Sequence, residues 1–408
     1  MQRSINKLTD LLAAVLFLTF VFGSNSVFAQ TTGNFAAERE RAVKLVNENK
    51  YSEALPLLEK LAATKEADGQ IFLGIGLSYW RLQDTVAKDK SEWKQMRLKA
   101  KQGFLKAREL GVSVPEIDLL VASIKADGGD KNQSDNPQAR AAMEEAFPAF
   151  AAKDYKKAAA AYQKAATLDP AHYEAALYTG NSFYALKDYD KAGVWFAKAI
   201  VIEPNRETAH RYWGDAFMNG GKNKEAEGKF LDAVIAEPYS SAAWKGLIYF
   251  AERNNIKMAH PKINNPVRVT FDGNGNAKMD MNGESIIAGK DDGTLAWTGY
   301  GLTRSLWRKE KFARAFPNEK NYRHSLMEEA DALRSVLALA EEKKSIIKNL
   351  SPDLAALKAL NNAGLLEAYI LLARADAEIK IDYAAYRQNN REKLKRYLAE
   401  FVVKNGGK

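Results

Sequence analysis

The sequence predicts a mostly α chain: an array of stacked helix pairs, then a short β-hairpin, then a C-terminal helical module. Three observations predict this. The segments "AMEEAFPAFAAKDYKKAAAAYQKAATLDP", "ALYTGNSFYALKDYDKAGVWFAKAIVIEP" and "HRYWGDAFMNGGKNKEAEGKFLDAVIAEP" align at a constant offset of 34 residues. After Lys257 the apolar spacing changes from helical to alternating, with Val267, Val269 and Phe271 on one side of "VRVTF". From Gly293 onward the helical spacing returns.

Residues 1–29 read as a secretory signal. Arg3 and Lys7 give a basic start, "LLAAVLFLTFVFG" an apolar run, and Val27 and Ala29 a small-residue cleavage site. The run falls short of the ~20 residues that span a bilayer, which argues against a retained anchor. The expected location is periplasmic or secreted. There is no cysteine, so neither a disulfide, a lipidated thiol nor a thiolate site can form. The net charge of +9 becomes +8 once the leader is removed. Over half of the surplus sits between Arg387 and Lys408, where seven basic residues face Glu392 and Glu400.

Each column of the 34-residue alignment has a steric task. Ala146, Gly180 and Gly214 share one column; Ala158, Ala192 and Ala226 a second; Ala165, Ala199 and Ala233 a third. Two helices approach to roughly 8–10 Å only where the facing residues are small. Tyr162, Phe196 and Phe230 fill the space between one pair and the next, and Pro170, Pro204 and Pro238 end each second helix. A single pair cannot cover its own apolar surface, so the units are expected to stack.

On these residues the units resemble tetratricopeptide repeats. The small residue of the first helix is Gly180 or Gly214, the second-helix alanine is Ala192 or Ala226, and the closing proline follows. The resemblance covers Gln138 to Pro238 and implies a right-handed superhelical array. It reaches more faintly into an N-terminal block, 36–126, where Ala42, Ala54 and Leu58 fit and Gly76 follows Ala42 by 34 residues. An insertion near 82–93 displaces the next helix, after which Ala100, Phe104 and Ala107 recover the pattern. A lone helix is expected at "PEIDLLVASIKA". "DGGDKNQSDN" makes 127–136 a flexible joint, and 137–257 holds three repeats plus a closing helix in "AAWKGLIYFAERN".

The resemblance covers nothing beyond that point. Residues 258–292 read as a hairpin segment around the turn "DGNGN". In the module 293–408, Trp297, Tyr300, Arg304 and Trp307 form one helical stripe, read as core before a sugar-stacking platform. Three helices should follow: near Tyr322–Lys348, near Pro352–Ile381 with Ser351 as cap, and near Tyr383–Lys404.

Chemical motifs are few. Asp272, Asn274 and Asn276 have the oxygen spacing of a calcium loop, but Ala277 replaces its glycine and Gly283 its bidentate glutamate, so a plain hairpin tip is expected. Two Ser-x-x-Lys strings, at Ser91 and Ser345, lack the companion motifs of a serine acyltransfer site. His172, His210, His260 and His324 show no metal spacing, and His210 reads as a packed or capped side chain. No phosphate loop or nucleophile elbow is present. No catalytic residue, metal or cofactor is expected.

In the family that the repeats resemble, the first helix of each pair lines a concave groove. The matching positions are Met143, Phe147 and Phe150, then Leu177, Asn181 and Tyr184, then Arg211, Asp215 and Met218. The mixture suits a protein or peptide partner, the other reading being that several of these side chains are covered by the next helix. Asn181 occupies one position of the carboxylate-clamp subtype, but Leu177 stands where that subtype has a lysine. The leading expectation is an exported, non-catalytic scaffold without nucleic-acid binding. Its basic last helix reads as a solvated face, or in an exported protein as a contact with a membrane or cell wall. The rival expectation is an envelope enzyme, with repeats delivering substrate to a C-terminal site near Asp291, Asp292 and Trp297.

Overall fold

The computed structural model describes residues 32–88, 91–112, 114–272, 277–281, 292–319, 321–343, 347 and 349–403. Residues 1–29, read above as a secretory signal, the predicted hairpin tip at 273–276, Asp291, Ser345 and Lys348 lie outside the described residues. The chain divides into two compact units. One comprises the residues up to 141 together with 167–172, the other 142–166 and everything from 173 on.

The first unit contains α1 (Thr32–Asn47), α2 (Tyr51–Ala62), α3 (Gly69–Leu82), α4 (Ser91–Glu109) and α5 (Pro115–Ala122). Ala42, Ala54, Ala100, Phe104 and Ala107 are fully buried, so the faint columns do pack. The insertion forms a short 3-10 turn at Gln83–Thr85 and the first turn of α4. It brings Trp93 opposite Trp80, and the Arg97 guanidinium lies 4.6 Å and 4.9 Å from their ring centroids. Arg97 donates to Gly128 O (3.0 Å), Ser123 O (3.1 Å) and Gln83 Oε1 (3.2 Å), which satisfies a buried cation with carbonyl oxygens and π faces.

Segment 127–136, read as a joint, makes specific contacts. Ser134 donates to Asp169 at 2.5 Å, Asn136 donates to Leu168 O at 3.1 Å, and the Asn136 side chain caps the following helix at Gln138 N. Short polar side chains that signal a turn are also good local hydrogen-bonding groups.

The three predicted pairs are α6 (Pro137–Ala151) with α7 (Tyr155–Leu168), α8 (Tyr173–Ala185) with α9 (Tyr189–Ile202), and α10 (Glu207–Asn219) with α11 (Asn223–Ala236). Their small column is a requirement of contact. A Cβ on Gly180 would stand 2.6 Å from Phe196 Cε1, and one on Gly214 3.0 Å from Phe230. The turns inside the pairs also repeat: Lys153, Lys187 and Gly221 have φ of 64°, 62° and 77°. The next N–H in each case reaches back five residues, as in Asp188 N to Phe183 O at 2.9 Å, closing the first helix in a left-handed cap. The following helix α12 (Ser241–Arg253) ends identically, with Asn255 at φ 54° and Ile256 N bonded to Ala251 O at 2.9 Å. The predicted closing helix thus shares the C-terminal turn of the first helices of the pairs, and the chain that follows it up to β1 is not helical.

Strands β1 (Val267–Phe271) and β2 (Ala277–Met281) pair antiparallel, Val269 opposite Met279. Helices α13 (Thr298–Leu306), α14 (Leu326–Glu342), α15 (Pro352–Asn362), α16 (Leu366–Tyr369) and α17 (Tyr383–Tyr397) follow, with a further helical turn at Phe312–Ala315. The helix predicted to run from Pro352 to Ile381 is capped by Ser351 as expected, but it breaks. Gly364, at φ 70°, ends α15, with Leu365 N bonded to Leu360 O. Beyond Arg374 the Asp376 side chain caps a new turn through Glu378 N and Ile379 N.

One core runs through this whole region. Phe230, Leu231, Val234 and Ile235 of α11 share it with Phe250, Leu333, Leu357, Leu394, Tyr397 and Leu398. The C-terminal module is therefore built onto the last full repeat. Its final helix spends its cations there: Arg387 donates to Ala236 O, Arg391 to Pro204 O at 3.2 Å, and Lys395 to Asp232 at 2.8 Å. Carbonyls at a helix C-terminus carry partial negative charge, so cations seat favourably on the ends of α9 and α11.

Candidate functional site

In the second unit, α6, α8, α10 and α12 each present the same turn-spaced positions. Counted back from the left-handed turn, one position recurs every 34 residues as Phe147, Asn181, Asp215 and Tyr249. Phe147 is 49% exposed and stands edge-on to Tyr162 and Tyr178, with centroids 5.8 and 5.7 Å away. Phe150, Asn181, Tyr184, Arg211 and Asp215 are half-buried, and Tyr249 is exposed. Met143, Leu177 and Met218, expected on the same surface, are core residues instead, because the facing helices close over this edge of the wheel.

The polar groups of the face are ordered. Glu207 accepts from Arg211 Nε (2.7 Å) and Nη2 (3.1 Å), a two-point pair one helical turn apart. Asn219 Nδ2 donates to Tyr184 Oη (2.7 Å) and to Asp215 O (2.9 Å), tying α8 to α10. Arg253 Nη1 donates to Tyr249 Oη at 3.0 Å. Burial raises the Asp215 carboxyl to about 6; Arg211 opposes the rise and Glu207 adds to it. Burial, with the Asp215 charge next, raises the Tyr184 phenol. Sequence reasoning missed Tyr249 because α12 lacks the glycine and proline columns, although the bare 34-residue offset leads to it.

The C-terminal module holds a denser charge cluster. Glu329 accepts from Tyr300 (2.7 Å) and contacts His324 Nε2 (3.2 Å) and Arg374 (2.8 Å), while Glu328 accepts from Arg304 (2.5 Å) and Tyr322 (2.8 Å). The Glu328 and Glu329 side chains are 0% and 2% exposed, so the cluster binds the fold together and offers no carboxylate to a substrate. Of the residues named for the rival site, Asp292 caps Thr294 at 3.0 Å and Trp297 is buried with Tyr300 and Trp307. His210 is buried, with Nε2 donating to Pro204 O at 3.1 Å. Lys94 of the described Ser-x-x-Lys string pairs with Asp127 at 2.5 Å. Among the described residues no group of three or more His, Asp or Glu is placed to hold a metal ion, and no helix is long and apolar enough to cross a membrane.

Residues 149–207 match the family model described as tetratricopeptide repeat. None of the curated proteins compared with the chain matches it. Among solved structures, it is similar to the Arabidopsis OM64 TPR domain, at 23% identity over 28% of this chain and 94% of that one, with a TM-score of 0.26. It is also similar to the Sgt2 TPR domain from Aspergillus fumigatus, at 24% identity over 29% and 81%, TM-score 0.28. A third is the first TPR of Spaghetti (RPAP3) bound to HSP90 peptide SRMEEVD, at 20% identity over 30% and 96%, TM-score 0.28. The matched stretch, with its 34-residue columns and the contact between Gly180 and Phe196, is a tetratricopeptide repeat segment of the chain.

Proposed function

We propose that the protein is a non-catalytic scaffold that holds an extended segment of a protein partner across the first-helix face of its repeats. The observation that carries this reading is the column Phe147, Asn181, Asp215 and Tyr249, a half-open row of aromatic and polar side chains on successive rigid helices. A preformed row loses little entropy on association, so several shallow contacts can sum to useful affinity. The same reading places the protein outside the cytoplasm, through the leader at 1–29, in the periplasm or secreted. Exposed Lys393 and Arg396 on the last helix supply its peripheral contact with an anionic membrane or cell-wall polymer.

The test is capture of partners from an envelope extract by the full chain and by a Phe147→Ser, Tyr249→Ser double variant. Loss of captured proteins with unchanged helicity is the expected result. Identical capture by both chains rejects the face as the binding surface. Export is checked separately by the mass of the protein in the periplasmic fraction, which should correspond to a start at Gln30; a full-length cytoplasmic product rejects it.

A further inference from the structure

We infer that the partner segment presents a lysine or arginine side chain to Asp215, its aliphatic stem lying along the neighbouring tyrosines. This rests on the reading of the first-helix face as the binding surface and adds the chemistry of the residue that it selects. Asp215 stands third in the column, between Asn181 and Tyr249. The nearest cation on its own helix, Arg211, is committed to Glu207 at both Nε and Nη2. The Asp215 carboxylate accepts no hydrogen bond from another described residue, and it is half-buried, so it is partly stripped of water while still open on the face. A carboxylate in that condition gains more from an incoming cation than one in bulk water.

The surroundings suit a cation with a long apolar stem. Tyr184 is fixed beside the Asp215 turn by Asn219, which bonds to the Tyr184 hydroxyl and to the Asp215 backbone at once. Tyr249, at the next step of the column, is 46% exposed. Tyrosine faces attract ammonium and guanidinium groups, and the methylenes of Lys or Arg pack on their edges. At the Asp215 step an acidic side chain meets a carboxylate, and Arg253, an exposed cation of this face, is already bonded to the Tyr249 hydroxyl. Arg211 is already neutralised, and Leu177, where a lysine would clamp a carboxylate, is 3% exposed. The carboxyl held up at about 6 agrees with a site short of one positive charge.

The immobilised full chain is challenged with a positional-scanning library of N-acetylated heptapeptide amides in which each position in turn is fixed as Lys, Arg, norleucine or Glu. Asp215→Asn is run in parallel, its helicity checked by circular dichroism. The expected result is one position where Lys or Arg is retained about tenfold over Glu and norleucine, a preference that largely disappears in Asp215→Asn. As a measurement that needs no variant, retention of the selected Lys peptide by the wild-type chain should fall as salt is raised from low to high. Peptides retained without preference for a cation, or with the same preference in Asp215→Asn, overturn the inference and leave the face standing as a binding surface. No peptide retained by the wild-type chain overturns both.

Discussion

His324 and Asp376, 52 residues apart in the chain, meet at 2.6 Å between Nδ1 and Oδ2. The other ring nitrogen faces Glu329 Oε2 at 3.2 Å, so both nitrogens address carboxylates and the ring is held as imidazolium. Burial alone would lower its pKa, and Arg304 works in the same direction, but Asp376 and Glu329 outweigh them and raise it to about 9. Tyr300, Arg374 and Glu328 complete the charged and titratable shell. Because the folded value lies above the ordinary 6.5, the stabilisation is complete below that pH and is lost as pH rises through about 9. The loss should be on the order of 3 kcal/mol. Urea midpoints of the wild type and His324→Gln between neutral and alkaline pH should converge; parallel curves would rule the linkage out.

Gly214→Leu should destabilise the protein by ~1–3 kcal/mol or more, since its side chain must displace a fully buried Phe230 ring. Equilibrium urea unfolding measures this directly. A loss near zero would mean that α10 and α11 do not cross at this residue.

Lys187→Gly should stabilise. The lysine adopts φ 62°, a left-handed conformation that disfavours a Cβ by ~1–2 kcal/mol, partly offset by the greater freedom of glycine in the unfolded chain. A net gain of about 0.5–1 kcal/mol is expected. An unchanged or lowered melting temperature would show that the lysine side chain contributes something the turn requires.

Asp215→Asn should be more stable than the wild type at about pH 8 and equal to it near pH 4. The folded carboxyl is raised from 3.8 to about 6, so its contribution is present below 3.8 and lost as pH rises through about 6. Arg211, Glu207 and Tyr184 are the titratable neighbours, and none is removed by the substitution. Calorimetry at the two pH values decides. A wild type that is the more stable at the higher pH would mean that Arg211 outweighs burial.

The repeats were legible because their constraint is steric and falls on residue size. A Cβ at Gly180 or Gly214 would crowd the Phe196 or Phe230 ring, so the columns survive in the letters themselves. The left-handed turns were not legible, since Lys153 and Lys187 occupy a conformation that lysine does not advertise. For the same reason the likeness of the turn after α12 to those inside the pairs was not visible in the letters. The break at Gly364 was hidden inside an apolar rhythm that continues past it. The groove positions were those that the resemblance implied, and which of them a neighbouring helix would cover could not be judged from the sequence. Met143, Leu177 and Met218 fall on the covered edge and Phe147 and Asp215 on the open one. From composition alone, 127–136 was read as a flexible joint and the basic last helix as a solvated face, whereas Ser134, Asn136, Arg387 and Lys395 find carbonyl or carboxylate partners far away in the chain.

Arg387 and Arg391, one turn apart on α17, reach the ends of two consecutive repeats, at Ala236 and Pro204. The last helix thus spans one repeat interval like a splint and sets the spacing of the terminal two units from outside. An extra 34-residue unit inserted after Pro204 would push one anchoring point out of reach, so this end of the solenoid tolerates neither lengthening nor a change of pitch without letting go of α17.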